Sequence, residues 1–282
     1  MDFIKILQAI LYGIIEGITE WLPVSSTGHL IILNQWFKIN ETYGNEFWSF
    51  FEVVIQLGAI LAVIVAFFKI LWPFGKSKTK EEKITTWKLL FHIIIACIPA
   101  AVIGLIFELT GLSDKLDNNA WIVAATLIIY GIFFIVIEML NKNKEFKITS
   151  VYNFTWKTAL IIGIAQILAL IPGTSRSGIT ILSAMLIGVN REESAKFSFL
   201  LSIPIMLGAS LVKTYSFVTS GVSMSGEMIV FLIVGLVVAF VVSIITIKWL
   251  LKFINNHDFK VFGIYRIILG IILIILILTL GW

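Results

Sequence analysis

The chain has 282 residues, of which 59% are hydrophobic and 13% are charged, and its mean hydropathy is +1.01. Soluble globular domains are about 45–50% apolar and about 25% charged, so this composition excludes an ordinary soluble domain and predicts an all-α polytopic membrane protein. The net charge of +4 comes from Lys and Arg in connecting segments. Because this pattern is typical of cytoplasmic loops, no nucleic-acid partner is expected.

The single cysteine and the N-terminus exclude two further features. Cys97 lies inside an apolar run, where it is expected to be a packing residue, and one cysteine can form neither an internal disulfide nor a thiolate metal site. The first residues, Met1 to Lys5, lack a basic segment followed by an apolar core and a cleavage site. We therefore expect no removable signal peptide.

The chain begins with a broken apolar segment. Residues 3–21 are compatible with a helix, and Pro23 stops it. The next apolar run, 25–38, is roughly 21 Å long as a helix at about 1.5 Å per residue, which is too short to cross a bilayer comfortably. The two short helices therefore predict a re-entrant hairpin.

The same broken pattern recurs later, between full-length apolar segments. Two short helices are predicted at about 158–170 and 175–188, on either side of Pro172 and Gly173. About six full transmembrane helices are predicted, at 47–72, 89–107, 119–140, 197–213, 227–250 and 261–281. Loops are predicted between the elements, at 39–46, 73–88, 108–118, 141–157 and 189–196.

The second hairpin repeats the first at a shift of 150 residues, without a gap over nearly fifty residues. The matching pairs include Gly13 and Gly163, Glu16 and Gln166, Ser25 and Ser175, Thr27 and Ser177, Gly28 and Gly178, and Gly58 and Gly208. Repeat one is predicted at about 3–72 and repeat two at about 155–215. Both belong to a single membrane domain, 1–282, whose remaining spans lie at about 89–140 and 227–281.

Loop charge predicts the orientation of the two repeats. The Lys-rich loops 73–88, 141–157 and 248–260 are expected in the cytoplasm, and the acidic loops 39–46 and 108–118 outside. The first hairpin then enters from the outside and the second from the cytoplasm, which is an inverted-topology repeat. Both termini would lie outside. Proteins of this kind place their site near the midplane, where broken helices from both halves meet.

Both hairpin tips carry the pattern of an anion site. After Pro23, Ser25 is a good N-cap, and the backbone N–H groups of Ser26, Thr27 and Gly28 would point out of a helix N-terminus, where phosphate commonly binds. The second tip repeats this arrangement and adds Arg176, whose guanidinium can grip phosphate oxygens in pairs. The predicted phosphate-binding residues are Ser25, Thr27, Gly28, Thr174, Ser175, Ser177 and Gly178. Two helix N-termini and one Arg would together supply a density of hydrogen-bond donors that fits a diphosphate better than a carboxylate.

The first hairpin also carries groups for metal and proton chemistry. Glu16 and Glu20 lie four residues apart, on one helical face. Beside a phosphate they would repel it unless a divalent cation such as Mg²⁺ or Ca²⁺ bridged them. His29 is expected to act as a general base, activating either Ser26 or a water molecule.

Each of these groups has a simpler explanation when taken alone: a helix cap, a solvated acidic face, a buried histidine, or a snorkelling arginine. The simpler explanations weaken together, because the groups occupy mirrored positions far from the predicted loops. Polar groups at membrane depth are functional by default. Glu52, Gln56 and Ser202 are weaker candidates that could line the cavity. Tyr265-Arg266 is expected to anchor the last span near the cytoplasmic face.

These residues resemble one known family, the bacterial undecaprenyl-diphosphatases of the bacitracin-resistance type. The resemblance covers essentially the whole chain and is strongest in two strings, Glu16-x-x-x-Glu20-Trp-Leu-Pro-Val-Ser-Ser-Thr-Gly-His29 and Pro172-Gly-Thr-Ser-Arg-Ser-Gly178. Phe51-Glu-Val-Val-Ile-Gln-Leu-Gly58 and Glu193-x-x-x-Phe197-Ser-Phe-Leu-Leu201 add to it.

The resemblance implies hydrolysis of undecaprenyl diphosphate to undecaprenyl phosphate and inorganic phosphate, which recycles the lipid carrier for peptidoglycan synthesis and confers bacitracin resistance. It also implies dependence on a divalent metal, a homodimer among the membrane lipids, and action at the outer face of the bacterial cytoplasmic membrane. The expected catalytic residues are Glu20, Ser26, His29 and Arg176, with Glu16 and Glu20 as metal ligands.

One alternative comes from another class of protein. Inverted repeats with broken helices are common in transporters, and a polyprenyl-phosphate flippase would need the same anion site. A flippase needs neither a nucleophile nor an acid–base group, so Ser26 and His29 beside two carboxylates favour an enzyme. A protein that combines both activities is the remaining variant.

Overall fold

The computed structural model describes residues 3–112, 116, 119–142 and 144–281, and these residues form helices joined by short links. Asp114, Lys115 and Asp117, whose charges entered the predicted orientation, lie outside the described residues. The α-helices are α1 (Phe3–Thr19), α2 (Ser26–Phe37), α3 (Ile39–Tyr43), α4 (Asn45–Ala66), α5 (Phe68–Leu71), α6 (Lys80–Leu109), α7 (Ala120–Asn141), α8 (Trp156–Gln166), α9 (Arg176–Leu186), α10 (Arg191–Thr219), α11 (Gly226–Ile254) and α12 (Lys260–Leu280). Two short 3-10 helices, Val151–Asn153 and Ile167–Leu170, flank α8.

Among the described residues, six helices are by length and composition able to cross a membrane: α4, α6, α7, α10, α11 and α12. The prediction of an all-α protein with about six spans is therefore confirmed. The two predicted hairpins are built from the shorter helices, α1 with α2 and α8 with α9. Their re-entrant placement in a membrane stays a prediction.

Several helices extend beyond the apolar runs that predicted them. Helix α6 begins at Lys80, inside the predicted loop 73–88, because Thr79 and Glu82 form a capping box. Helix α10 begins at Arg191, inside the predicted loop 189–196, because the side chain of Asn190 accepts a bond from the backbone N–H of Glu193. Hydropathy detects the membrane-embedded part of a helix and misses its polar, capped ends.

Two other predicted boundaries were wrong for local reasons. The predicted loop 39–46 contains α3, a single short helix that begins directly after Lys38, a residue in the left-handed region with φ of 50°. The predicted span 47–72 is two helices, since α4 ends at Ala66 and Phe67 interrupts the regular backbone before α5.

The first helix of each hairpin packs closely on a long helix of the other half of the chain. Helix α1 lies along α11, and α8 lies along α6. A Cβ atom added at Gly13 would lie 2.7 Å from the carbonyl oxygen of Gly235, and one at Gly163 would lie 2.4 Å from that of Ala96. Glycine at these two equivalent positions therefore allows the backbones to approach. The exchange of helices between halves is reciprocal.

The start and the end of each hairpin also meet. Lys5, at the start of α1, and Tyr43, the last residue of α3, both bond the carboxylate of Glu227 at the start of α11. In the second hairpin, the backbone N–H of Lys147 donates to the carbonyl of Gly188, and Ile148 pairs with Val189 just before α10. The consecutive helices α10 and α11 are joined by a short link, as an inverted repeat requires. The inverted repeat itself stays a prediction.

Candidate active site

The tips of the two hairpins share an uncommon backbone conformation. Ser25 has φ of 73° and Ser175 has φ of 71°, values that residues other than glycine rarely adopt. Each serine caps the following helix, since Ser25 Oγ accepts from the Gly28 N–H at 3.4 Å and Ser175 Oγ from the Gly178 N–H at 3.1 Å. The predicted N-caps are confirmed, and the repeat extends to backbone torsions.

The two tips contact each other, as the sequence predicts. Arg176 Nη2 at the start of α9 donates to Glu20 Oε1 at 2.7 Å, and Ser177 Oγ donates to the Glu20 carbonyl at 3.1 Å. The side chains of Arg176 and Glu20 are 12% and 9% exposed. This ion pair is charge-assisted and largely shielded from water, so it holds the two hairpins in one geometry.

Glu20 joins a serine to the arginine. Its second oxygen, Oε2, accepts a bond from Ser26 Oγ at 2.8 Å. Arg176 is held further by the Ser198 carbonyl, at 2.9 Å from Nη1, while its buried Nε has no hydrogen-bond partner. A hydroxyl, a carboxylate and a guanidinium are therefore connected in series at the junction of the tips.

His29 occupies a different place from the one that the sequence predicts. Its Nδ1 lies 2.7 Å from the Ser25 carbonyl and its Nε2 lies 2.7 Å from the Tyr265 hydroxyl. Because a carbonyl can only accept, Nδ1 carries the proton and Nε2 accepts from Tyr265. The physical reason is helix geometry. The Ser25 carbonyl lies one helical turn before His29, so it accepts a hydrogen bond from the imidazole ring. Ser26 is thus paired with Glu20 and not with His29.

A cavity of about 610 Å³ opens at the junction of the tips. Its apolar wall comes from α6 and α10, between Cys97 and Phe107 and between Pro204 and Val212. Its polar end is lined by Glu20, Ser25, Ser26, Thr27, Gln56, Gln166, Gly173, Ser175, Arg176 and Ser177.

Among the weaker candidates, only Gln56 lines this cavity as expected. Ser202 is fully buried and donates to the Phe199 carbonyl at 2.6 Å, so its prediction as a lining residue was wrong. Glu52, on α4, is not among the lining residues either. Four predicted site residues do not line the cavity, although each lies close in sequence to a residue that does: Gly28, His29, Thr174 and Gly178.

Sequence reasoning missed the residue that ties the tips together. Arg266 of α12 is fully buried, and its guanidinium lies 3.3 Å from the Pro23 carbonyl, 2.8 Å from that of Gly173 and 3.1 Å from that of Thr174. Further contacts reach the carbonyls of Thr126 and Leu127. The expectation of an anchor at the cytoplasmic face was wrong. An arginine within an apolar span was the available signal, because such residues are functional by default.

Comparison with known proteins identifies the family. The family model described as bacitracin resistance protein BacA matches residues 9–272. The chain is 52% identical to the undecaprenyl-diphosphatase of Enterococcus faecalis, over 97% of this chain and 98% of the relative. It is 50% identical to undecaprenyl-diphosphatase 1 of Oenococcus oeni, over 97% of each chain, and 48% identical to the undecaprenyl-diphosphatase of Streptococcus mutans, over 97% and 96%.

The chain belongs to the BacA family. The resemblance drawn from the motifs is therefore confirmed. The relatives bear the name of a diphosphatase, so the flippase alternative gains no support from them.

The predicted metal ligands of this BacA protein differ in their surroundings. Both carboxylate oxygens of Glu16 are buried and have no hydrogen-bond partner, whereas both oxygens of Glu20 are occupied by Ser26 and Arg176. The repeat counterpart of Glu16, Gln166, is also buried with its amide atoms unpaired. Within the described part of the chain, no group of three or more His, Cys, Asp or Glu residues could hold a metal ion.

Proposed function

We propose that this BacA protein is an integral membrane phosphatase that hydrolyses undecaprenyl diphosphate to undecaprenyl phosphate and inorganic phosphate. The observation that carries the proposal is the pairing of Glu20 with both Ser26 and Arg176 inside the cavity. We assign Ser26 the role of nucleophile, Glu20 that of proton acceptor and Arg176 that of phosphate-binding cation. Relatives named undecaprenyl-diphosphatase, about half identical over nearly the full length, support the choice of substrate.

The reaction begins at Ser26. Its Oγ attacks the terminal phosphorus as its proton passes to Glu20, the hydrogen-bonded carboxylate 2.8 Å away. The bond from that phosphorus to the bridging oxygen breaks, and undecaprenyl phosphate leaves with the electron pair. Water then attacks the phosphoserine, which releases inorganic phosphate and restores Ser26. A second route, in which Glu20 activates water directly, produces the same products without a phosphoserine.

Arg176 couples substrate binding to this step. The guanidinium is held by Glu20 when no phosphate is present. A diphosphate offers stronger acceptors, so Arg176 shifts toward the phosphate oxygens and stabilises the charge that builds there. Glu20 then loses its cationic partner and becomes a better acceptor for the Ser26 proton. The N-termini of α2 and α9 add positive dipole ends on either side.

We extend the proposal to a divalent cation, Mg²⁺ or Ca²⁺. The two unpartnered, buried oxygens of Glu16 fit a hard cation, which prefers carboxylate ligands. Glu16 and Glu20 supply only part of a ligand set, so phosphate oxygens of the substrate would complete it. When bound, the cation would offset negative charge on the phosphate oxygens. Cation-dependent thermal stabilisation that is lost in Glu16→Gln tests the site without an activity readout.

Phosphate release from purified protein in detergent micelles tests the activity, because micelles have no two sides across which a lipid could be moved. We expect release by the wild type, and a loss of about 10²–10³-fold in kcat for Arg176→Ala, the size of effect seen when one charge-stabilising donor is removed. Arg176→Lys is the matched control for charge alone. Rapid-quench labelling separates the two routes, since only the first leaves phosphate on Ser26. Near-normal turnover of Arg176→Ala would refute the site.

The setting of the enzyme forms part of the proposal. Six helices in the described part of the chain are long and apolar enough to cross a membrane, which supports a multi-pass membrane protein, and membership of the BacA family is consistent with the bacterial cytoplasmic membrane. There it recycles the lipid carrier for peptidoglycan synthesis, and raised dosage confers bacitracin resistance. We place the cavity at the outer leaflet and expect a homodimer. Protease accessibility in spheroplasts tests the first, and mass measurement in detergent tests the second.

A further inference from the structure

The cavity has a second ion pair at a distance from the reacting groups. Lys213 of α10 and Glu108 of α6 both line it, with Lys213 Nζ 3.7 Å from Glu108 Oε1. Met206, which contacts Arg176, lies seven residues before Lys213 on the same helix. Seven residues correspond to about 10 Å of helix, so Lys213 lies about two turns away from the arginine that holds the reacting phosphate.

The two ion pairs of the cavity differ in strength. The side chains of Arg176 and Glu20 are 12% and 9% exposed and in contact at 2.7 Å, whereas those of Lys213 and Glu108 are 31% and 36% exposed and 3.7 Å apart. A long, hydrated pair contributes little to stability and is readily exchanged for another partner. Lys213 is therefore a cation that a stronger anion can take from Glu108.

The wall between the two pairs allows a ligand to pass. Gly104 on α6 and Gly208 and Ala209 on α10 line the cavity here, and a Cβ atom added at Gly208 would meet nothing within 4 Å. A phosphate group that moves along this wall leaves one cation and meets the other. Lysine binds phosphate as a point charge and needs no fixed geometry, which suits a transient stop.

We propose that Lys213 forms a second, outer phosphate-binding position, held by Glu108 when empty, which receives phosphate groups on their way to or from Ser26. The ligand is a phosphate anion, either the diphosphate headgroup of the lipid or released inorganic phosphate. The proposal rests on the phosphatase function. It assigns Lys213 a role in access and release and none at the reacting phosphorus.

Opposite effects of the two partners test this position. In initial-rate assays in micelles, Lys213→Gln is expected to raise KM for the lipid diphosphate by about ten-fold, the lower end of what a focusing charge contributes, with kcat unchanged. Glu108→Gln frees the lysine and is expected to lower KM. If the site serves the product, the inhibition constant of added inorganic phosphate shifts in the same two directions and KM stays constant.

Matched variants keep the test decisive. Lys213→Arg retains the charge and is expected to behave like the wild type, and Lys38→Gln removes an exposed lysine that does not line the cavity. Suppose that Lys213→Gln and Glu108→Gln both raise, or both lower, KM and the inhibition constant of phosphate. The pair is then only structural and the proposal is refuted. It is equally refuted if neither constant moves. An inactive wild type would instead refute the phosphatase function itself.

Discussion

His29 and Tyr265 form one hydrogen bond, and that bond predicts how their variants behave. A general base contributes about 10²–10⁴-fold, whereas a positioning hydrogen bond contributes about 0.5–1.5 kcal/mol, or about ten-fold at most. His29 bonds Tyr265 and the Ser25 carbonyl and does not line the cavity. We therefore expect His29→Gln and Tyr265→Phe each to lower kcat by about ten-fold or less.

The double variant of His29 and Tyr265 distinguishes a positioning role of His29 from a role as general base. If both side chains act through their shared bond, the double variant is expected to lose no more activity than the stronger single variant. The pH profile of kcat is expected to stay unchanged in Tyr265→Phe. A loss above about 10²-fold in His29→Gln alone, with Tyr265→Phe near normal, would restore His29 as the base.

Arg266 is predicted to position the site without touching the substrate. Its guanidinium satisfies carbonyls of Pro23, Gly173 and Thr174, one on the first tip and two on the second. Each buried carbonyl that loses its donor costs about 1–3 kcal/mol, so Arg266→Met is expected to lower the Tm in detergent and to reduce kcat at temperatures far below that Tm. Arg266→Lys retains the charge and is expected to restore part of both. Full activity of a destabilised Arg266→Met would limit Arg266 to stability.

At the scale of helices, we expect two glycines to tolerate no side chain. They are Gly13, where α1 packs on α11, and Gly163, where α8 packs on α6. Gly13→Ala and Gly163→Ala each bring a methyl group within 3 Å of a backbone carbonyl, and overpacking of this kind costs about 1–3 kcal/mol. Both should lower the Tm to a similar extent, since the positions are equivalent. Gly226→Ala, where a Cβ meets nothing within 4 Å, is the control and should leave the Tm unchanged or raise it. A tolerant Gly163→Ala would contradict the close approach.

The helices and the tips were predictable from sequence to different degrees. Apolar runs predicted the spans. The 150-residue repeat predicted that both tips carry equivalent serine caps, because an N-cap depends only on residues adjacent in sequence. The partners of His29, Ser26 and Arg266 could not be predicted. Each depends on which helices pack side by side, and the hydroxyl that bonds His29 lies 236 residues away in sequence.

At the scale of the whole molecule, each of the two hairpins is held by contacts near its start and its end. Glu227 joins the start and the end of the first hairpin, and the backbone pairing of Ile148 with Val189 joins those of the second. Each hairpin also packs on a long helix of the opposite half. The contact between Glu20 and Arg176 therefore joins two hairpins that are each anchored at their ends.

This arrangement predicts which links are accessible from each side of the membrane. The sole cysteine is removed first as Cys97→Ser, and single cysteines are then introduced at exposed link positions. An impermeant maleimide applied to intact cells is expected to label Thr42→Cys and Ser223→Cys. It should leave Ser77→Cys and Glu145→Cys unlabelled until the membrane is permeabilised, because the lysine-rich links are predicted to face the cytoplasm.

The decisive position in that experiment is Glu145, which precedes the second hairpin. Helices α7 and α10 are both long and apolar enough to span the membrane, and a re-entrant hairpin of α8 and α9 makes the segment between them begin and end on the same side. A cysteine at Leu186, an exposed residue at the end of α9, is therefore expected to share the labelling of Glu145→Cys, with Ser77→Cys as the cytoplasmic reference. Labelling of Leu186→Cys from outside, with Glu145→Cys protected, would mean that the hairpin crosses the membrane and that the repeat is not inverted.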